Sequence, residues 1–438
     1  MNYYLLGLGV IGESFLSVFR ESGLFDPESF YVIDCDSSKK ERFVNLGGSA
    51  DHFFACMVNG ENCTELLAKL NPGDTLIDLA ENIRNIKLLN YCLAHGVHYL
   101  STADASFNEE DRSVFSNFRE FQQAKKEFPP DAATSIIEYG MNPGLVSAFV
   151  KAAIDDIIGQ DSSPYVREHR GRLEELTEGG RYAEAAALLK ITGIAEVDHD
   201  DQKPIIPFEE DVFYTTWNAY ACFEECSFHP QIAFGSAEDL HACPNVSRAE
   251  EEGCFAMIEG KASDCRVRIW SPQGIMEGNL TVHEEIYPIR EFLRFREYAP
   301  TVYFVYCPCE YARRSLALFP NELPKKIHLL RKEEIVSGGE SVGMILYGEH
   351  FHPRYFGCYL LTENAKETAT AVQVSASLFA AVQYMQNHPD SGLLFPEDLD
   401  HREVLKSASR YLGTYISKEI QPLDGWTPDR LPQFHIQK

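Results

Sequence analysis

Residues 3–137 alternate between short apolar runs and longer stretches in which apolar residues recur at helical spacing. The short runs predict strands and the longer stretches predict helices. Strands are predicted over 3–6, 30–33, 75–79, 97–102 and 134–137, and helices after residue 11, over 83–94 and over 110–127. Repeated strand–helix units build a doubly wound parallel sheet, so this part is predicted to be an α/β domain of the Rossmann type.

From about residue 150 the alternation stops, and charged helical and β-rich segments follow. Residues 171–190 predict one charged amphipathic helix, and 368–386 predict a long alanine-rich helix. Strands are predicted over 212–217, 265–270, 278–283, 301–306 and 342–347. We therefore expect a second, α+β domain over 146–364 with a mixed or antiparallel sheet. The segment from about 365 to 438 is expected to pack back on the first domain, which spans 1–145.

The turn after the first strand carries the glycine pattern Gly7-Leu-Gly9-Val10-Ile11-Gly12. Between a strand and a helix, the first glycine permits the tight turn and the second lets the backbone approach a pyrophosphate. The third glycine allows the helix to pack closely on the strand. The amides at the helix N-terminus then face the anion, so this segment predicts a dinucleotide site.

The second predicted strand ends in Asp34, whose carboxylate can accept hydrogen bonds from both ribose hydroxyls of NAD. A 2′-phosphate would be repelled there, so NAD is favoured over NADP. Lys39, Lys40 and Arg42 follow nearby and soften that preference, and Asp36 is a weaker candidate for the ribose contact.

Ligands of such sheets lie beyond the carboxyl ends of the strands. The residues predicted at those ends are Leu79, Ala80, Thr102 and Ala103, together with Met141, Asn142 and Pro143 in the loop after Ile137. Asn142 can cap the helix that follows or hydrogen-bond a bound ligand, and the sequence leaves both roles open.

The 438 residues carry a formal charge of −27 and 12 cysteines. The acid excess argues against nucleic acid as a partner, because affinity for polyphosphates comes mainly from clustered Lys and Arg. The chain has neither a recognisable export signal nor a long uninterrupted apolar run, so we expect a cytoplasmic protein without a membrane partner. One cysteine–histidine group could bind zinc, but its spacing fits no familiar pattern and we predict no metal. Its members are Cys222, Cys226, His229, His241 and Cys243.

Several segments resemble the bacterial homospermidine synthases, which have a saccharopine-dehydrogenase-like fold. The matching stretches are GLGVIG, LIDLAENI, EYGMNPGLVSAFVK, TTWNAYACFEE, RVRIWSP, LTVHEE, APTVYFVYCPC, GMILYG, TAVQVSASLFAAVQY and GLLFPEDLDHREVLKSASRYLG. The resemblance implies a redox-neutral cycle on NAD: putrescine is oxidised to an imine, a second amine condenses with loss of ammonia, and the NADH just formed reduces the new imine. It also implies a homodimer.

Residue by residue, the resemblance implies that Trp217 stabilises a cationic imine, that Glu225 and His283 contact substrate, and that Asn142 lies at the nicotinamide end. Asp198 and Glu340 match two further acids, each changed in length by one methylene. Where the family usually has a glutamate, this chain has Ala105, with Asp104 one position earlier. Because one ammonium anchor is missing, the substrate class stays open to a different diamine, or to an amine bearing a carboxylate or amide.

Two other functions are compatible with these residues. A saccharopine or carboxyspermidine dehydrogenase would reduce an imine with external cofactor and would recognise a carboxylate with a base such as Arg266, Arg268 or Lys151. A protein that kept the fold and lost the reaction would bind NAD without catalysis. The reaction stoichiometry distinguishes such a dehydrogenase from amine coupling, because amine coupling releases ammonia without a net change in NADH.

Overall fold

The computed structural model describes residues 1–80, 83–102, 114–237, 246–250, 254–421, 423 and 434–436. Three predicted site residues, Ala103, Asp104 and Ala105, lie outside the described residues. The chain divides into two units. The first comprises Met1–Leu145 and Ala371–Tyr411, and the second comprises Val146–Thr370 and Leu412–Lys438.

The strands and helices of both units are numbered in chain order. The strands are β1 (Tyr3–Leu6), β2 (Phe30–Asp34), β3 (Phe53–Ala55), β4 (Thr75–Asp78), β5 (His98–Ser101), β6 (Ser135–Ile136), β7 (Ile191–Asp200), β8 (Lys203–Pro204), β9 (Val212–Thr215), β10 (Gln231–Ala233), β11 (Val246–Glu250), β12 (Phe255–Ile258), β13 (Cys265–Ser271), β14 (Gly274–Thr281), β15 (Thr301–Cys307), β16 (Lys326–Leu329), β17 (Ile335–Ser337), β18 (Gly339–Gly348), β19 (Arg354–Leu361), β20 (Leu393–Leu394), β21 (Thr414–Glu419) and β22 (Phe434–Ile436). The helices are α1 (Val10–Glu21), α2 (Lys39–Asn45), α3 (Cys63–Leu67), α4 (Asn85–His95), α5 (Val114–Glu127), α6 (Val146–Gln160), α7 (Pro164–Glu178), α8 (Tyr182–Leu189), α9 (Ala219–Ser227), α10 (Ile286–Phe292), α11 (Glu310–Leu318), α12 (Ala369–Asn387) and α13 (His401–Ala408).

The sheet of the first unit is parallel throughout, with strand order β3-β2-β1-β4-β5-β6-β20. Every residue of β1 and β4 is buried, as expected for central strands covered on both faces. The strand order reverses between β1 and β4, which is the place where doubly wound sheets bind ligands. The predicted Rossmann-type α/β fold of this part is confirmed.

The second unit is built on a large mixed sheet, as predicted. Its main path runs β11-β12-β10-β15-β7-β18-β19-β21, and β13 and β14 extend it from β15. β15 pairs with β7 in parallel, whereas β18 pairs with β7 antiparallel. One face of the central strands packs into an apolar core around Ala195, Val197, Val305 and Ile345.

Three expectations for the second unit differ from the structure. Residues 171–190 form parts of two helices, α7 and α8, because Gly179 and Gly180 interrupt the pattern. The central strand β7 was not predicted, since its three acids lower its apolar content. Residues 414–419 form β21, which pairs with β19 at the edge of the second sheet rather than with the first unit. Among the helices that the structure describes, none is long and apolar enough to cross a membrane.

Candidate active site

Glycines shape the turn between β1 and α1. Gly7 has a φ of +94°, and a Cβ there would lie 3.1 Å from the Leu79 carbonyl oxygen. A Cβ on Gly12 would lie 2.7 Å from the Gly7 carbonyl oxygen, so the first turn of the helix packs against the loop. Around Gly9, by contrast, none of the described atoms lies within 4 Å of a Cβ position. A phosphate can therefore approach the backbone at Gly9, where α1 begins with Val10 and Ile11.

Asp34 lies at the carboxyl end of β2 and is buried. Its Oδ2 accepts the Leu8 backbone N–H at 2.7 Å and the Lys39 ammonium at 2.9 Å, while Oδ1 accepts the Asp36 N–H at 2.8 Å. Burial alone would raise the pKa of Asp34, but these hydrogen bonds and the Lys39 charge lower it below its ordinary value. A carboxylate has about four acceptor positions, so the ionised Asp34 keeps one for a ligand hydroxyl.

The carboxyl ends of β1, β4 and β5 meet at one edge of the first sheet, because Leu6 pairs with Asp78 and Asp78 with Ser101. The predicted cofactor residues Leu79, Ala80 and Thr102 follow these ends directly. The edge thus gathers the glycine turn and the starts of two further loops.

The loop after β6 is held by its own backbone. The Gly140 N–H donates to the Pro143 carbonyl at 2.6 Å, and the Leu145 N–H donates to the Gly140 carbonyl at 3.0 Å. Gly144 has a φ of +132°, and a Cβ there would lie 2.3 Å from the Gly140 oxygen, so only glycine fits. The Asn142–Pro143 bond is cis, Asn142 is half-buried, and Met141 and Pro143 are buried.

A buried acidic face occupies the second unit. Alternation along β7 places Glu196, Asp198 and Asp200 on the face opposite the apolar core, with exposed fractions of 0%, 5% and 2%. Glu340 on β18 pairs directly with Asp200. Tyr306 on β15 pairs with Asp198. We call these five residues the acidic face.

His283 follows β14 and lies among three more acids. Its Nδ1 hydrogen-bonds Glu285 and lies 3.7 Å from Glu284, and its Nε2 lies 3.9 Å from Glu225. Burial alone would lower the pKa of His283, but Glu285, Glu284 and Glu225 raise it to about 10. The ring is therefore an imidazolium at neutral pH and acts as a donor rather than a base.

Burial raises the pKa of several of these acids. The pKa values of Glu196, Glu225 and Glu340 lie well above the ordinary range, because each is desolvated and faces other carboxyl groups. Burial also raises the pKa of Asp200 to about 6, although hydrogen bonds from Gln202 and Thr216 oppose the shift. The repulsion between such crowded carboxyl groups is relieved when a proton or a cation lies between them.

Trp217 lies between β9 and α9 and is half-buried. Its Nε1–H donates to the Tyr306 hydroxyl at 3.1 Å. The preceding residue, Thr216, donates its hydroxyl to Asp200 at 2.7 Å. The next residue, Asn218, caps α9 by accepting the amides of residues 220 and 221. The indole is thus held beside the acidic face by its hydrogen bond to Tyr306, and the residues before and after Trp217 are anchored as well.

The structure brings together five of the predicted site residues in the second unit: Trp217, Glu225, His283, Asp198 and Glu340. Asn142 lies in the first unit. Sequence reasoning missed other members of the second-unit site, which are Glu196, Asp200, Glu284, Glu285, Thr216 and Tyr306. The alternation of apolar and acidic residues over 195–200 is a half-buried strand signal that could have identified two of them.

The basic residues and the potential zinc ligands named from the sequence differ in their location and burial. Arg266 lies on the same face of the sheet as Tyr306, because both pair with Asn279. Arg268 is exposed, and the Lys151 ammonium lies 5.2 Å from the Phe292 ring centre. Cys222 and Cys226 are buried on α9, His229 is exposed, and His241 and Cys243 lie outside the described residues.

Among the described residues, two groups of side chains have the spacing of a metal site. The ligand atoms of Glu196, His283 and Glu285 lie within 4.8 Å of one another, and His283 already hydrogen-bonds Glu285. The second group, Asp161, His352 and Glu419, is partly exposed, and His352 donates to Asp161. Internal hydrogen bonds therefore connect members of both groups, and the absence of a metal stays a prediction.

Comparison with protein families and curated proteins supports the similarity inferred from the motifs. Residues 4–136 match the model of the saccharopine dehydrogenase NADP binding domain. The chain is 27% identical over 457 residues to a homospermidine synthase of Blastochloris viridis, covering 97% of this chain and 91% of the relative. It is 27% identical over 466 residues to a homospermidine synthase of Mesorhizobium japonicum, covering 98% and 91%.

Solved structures share the fold. A homospermidine synthase from Legionella pneumophila in complex with NAD superposes with a TM-score of 0.84 at 24% identity, covering 97% of this chain and 93% of that one. A saccharopine dehydrogenase from Saccharomyces cerevisiae superposes with a TM-score of 0.56 at 10% identity, covering 96% and 100%. The resemblance inferred from the sequence is thus confirmed over nearly the whole chain.

Proposed function

We propose that this chain is a divergent member of the homospermidine synthase family and couples amines in an NAD-dependent reaction with loss of ammonia. One observation carries the proposal: a buried acidic face beside a fixed tryptophan. Asp198, Asp200 and Glu340 lie together where water is excluded. Clustered buried carboxyl groups are costly unless a cation or proton accompanies them. A di- or polyammonium substrate supplies that cation.

The residues of the first unit fit NAD. The space over Gly9 accommodates a pyrophosphate, and the remaining acceptor position of Asp34 accommodates a ribose hydroxyl. Lys39 lies against Asp34 and is the group through which NADP could be tolerated. When bound, NAD would supply the hydride acceptor for amine oxidation and the donor for imine reduction. Asn142 and Thr102 follow strand ends at the same edge and would orient it.

The residues of the second unit have separate roles in binding and deprotonating the amine. Trp217 offers an aromatic face to a cationic imine, a contact that gains strength when the cation is desolvated. Asp198 and Glu340 anchor ammonium ends. Glu225 is the base that deprotonates the reacting amine, because burial raises the pKa of its carboxyl well above the ordinary range and part of its side chain stays accessible. His283 keeps its proton and donates to the acids around it.

Putrescine is the expected donor, as the resemblance to the homospermidine synthases implies. The acid that the family usually has at the position of Ala105 is absent. A different diamine, or an amine bearing a carboxylate or amide, is therefore a second candidate substrate. We also propose a homodimer and a cytoplasmic location.

A second candidate function is an imine reductase of the saccharopine or carboxyspermidine dehydrogenase type. Arg266 favours it, because this base shares the face of Tyr306 and could bind a substrate carboxylate. That enzyme would consume external NADH, whereas amine coupling leaves the cofactor balance unchanged.

The test is mass spectrometry of products after the enzyme is incubated with NAD and a panel of di- and polyamines, with ammonia and NADH measured in the same samples. We expect a coupled secondary amine, one ammonia per product and no net NADH. Net NADH consumption with an imine would support the reductase. If no amine couples and no ammonia appears, the proposed function is wrong. Trp217→Ala should abolish coupling, and unchanged activity would remove Trp217 from the site.

A further inference from the structure

Glu196 has no role in the proposed function, yet it is completely buried at the centre of β7. Its carboxyl group contacts that of Glu285. Among the described residues, neither oxygen of Glu196 has a hydrogen-bond donor. Two ionised carboxylates are both acceptors only, so the contact is favourable when a proton lies between them.

The surroundings of this pair do not supply another cation. His283 donates its Nδ1–H to Glu285 and is, within the described part of the chain, the only positively charged group that contacts the pair. Asp198 on β7, Glu225 on α9 and Glu284 add negative charge. Glu196 pairs with Phe304 and Met344 on the neighbouring strands, and both of these side chains are uncharged.

A second contact of the same kind lies further along the sheet. The carboxyl groups of Glu340 and Asp198 hydrogen-bond each other, and the hydroxyl of Thr370 also contacts Glu340. Asp200, Tyr306, Tyr355, Cys222, Cys309 and Cys358 are the other titratable groups around this contact. None of these groups is a cation, and Arg266, on the same face of the sheet, lies three strands away from Asp198.

We propose that the enzyme holds one proton in each pair, Glu196–Glu285 and Asp198–Glu340, until an ammonium group binds and displaces it. The inference rests on the proposed function, because it names how the same site admits its cationic substrate. An ammonium at hydrogen-bonding distance favours the fully ionised form of a carboxyl pair. The released proton passes to solvent, and the positive charge of the ammonium takes its place. Before the ammonium binds, the shared proton lets Glu196 orient Glu285 and, through it, His283.

Proton linkage makes amine affinity rise with pH. Each proton released on binding changes the Kd about tenfold per pH unit while the pair is still protonated. We expect isothermal titration calorimetry of the NAD-bound enzyme with putrescine, in buffers of different ionisation enthalpy near pH 7, to show release of one to two protons per amine. Binding heat without proton release would overturn the proposal.

Glu196→Gln is the informative variant, because its amide donates to Glu285 permanently and has no proton to release. It should release about one proton fewer than the wild type and flatten the dependence of log Kd on pH. Glu277→Gln, at an exposed position on β14, two strands away from β7, is the matched control and should behave as the wild type. Equal proton release from the wild type and Glu196→Gln would contradict the role of Glu196.

A measurement without amine separates this proposal from the proposed function. Infrared spectroscopy of the unliganded enzyme near pH 7 should show the carbonyl stretch of protonated carboxyl groups, weakened in Glu196→Gln. Absence of that band, or a stoichiometric metal ion in the purified enzyme, would overturn the shared protons. If putrescine gives no binding heat, the proposed substrate is wrong. The infrared band then tests by itself whether the carboxyl pairs hold protons.

Discussion

The indole of Trp217 donates its N–H to the hydroxyl of Tyr306, 3.1 Å away, and Tyr306 lies beside Asp198 in the central sheet. The aromatic face that we assign to the cationic imine is thus oriented by a buried phenol on the acidic face. A hydrogen bond of this kind contributes about 1 kcal/mol, and its loss frees the indole to rotate.

Tyr306→Phe should therefore lower kcat for amine coupling by roughly fivefold with little change in the KM for the amine. Steady-state kinetics by ammonia release measures both. Tyr303→Phe is the matched control, since Tyr303 lies on the same strand but packs into the opposite, apolar core. If both variants retain equal activity, the Trp217–Tyr306 bond has no part in catalysis.

Gly9 and Gly12 should respond differently to alanine. Gly9→Ala fills open space over the turn, so the fold should be unaffected while the Kd for NAD rises at least tenfold because the pyrophosphate is excluded. Gly12→Ala places a Cβ 2.7 Å from the Gly7 carbonyl, so it should lower the thermal midpoint. Fluorescence titration of NAD and calorimetry of unfolding distinguish the two. An alanine at Gly9 that leaves NAD affinity intact would contradict a dinucleotide site there.

Asp34 should set the choice of cofactor. Asp34→Asn removes the negative charge that disfavours a 2′-phosphate, so the ratio of NADP to NAD affinity should rise about tenfold or more. Asp36→Asn tests the weaker candidate: Asp36 is exposed and its Oδ1 accepts the Ser38 amide. We expect it to leave the ratio near the wild-type value. A larger effect at Asp36 would transfer the ribose contact to that residue.

The first unit was predictable because its signals are local. Glycine spacing, a strand ending in Asp34 and alternating apolar runs each lie within a few residues, and the structure places them at one sheet edge. The second unit depends on contacts distant in sequence. Glu196 and Glu285 become partners only when β7 and the residues after β14 are brought together. The strand β7 itself was not predicted, because its acids lower its apolar content. The resemblance identified Trp217, Glu225 and His283, but it could not reveal which buried acids share protons.

Ala105 should limit the use of putrescine. The family usually has a glutamate at this position, where it would bind an ammonium group, so Ala105→Glu should raise kcat/KM for putrescine several-fold or more. Ala105→Gln is the control for size without charge and should give little gain. A panel of amines assayed by ammonia release measures the change. An unchanged or lower rate with Ala105→Glu would argue that the enzyme uses a different amine.

The stability of the second unit should fall as the pH rises from 7 to 10. The pKa of His283 rises from 6.5 to about 10 on folding, so its stabilising effect is complete below pH 6.5 and is lost as the pH rises through about 10. Within that window His283 alone gives a slope of about 1.4 kcal/mol per pH unit. Asp200, with a pKa raised from 3.8 to about 6, acts in the same direction at lower pH.

Urea unfolding followed by tryptophan fluorescence measures this slope, because both tryptophans among the described residues, Trp217 and Trp270, lie in the second unit. His283→Gln should remove the His283 contribution and flatten the curve between pH 7 and 10. His229→Gln changes an exposed histidine of the same unit and should keep the wild-type slope. Saturating amine should flatten the slope contributed by the buried carboxyl pairs, because ammonium groups then replace their protons. A free energy of unfolding that is constant from pH 7 to 10 would show that His283 is not held as an imidazolium.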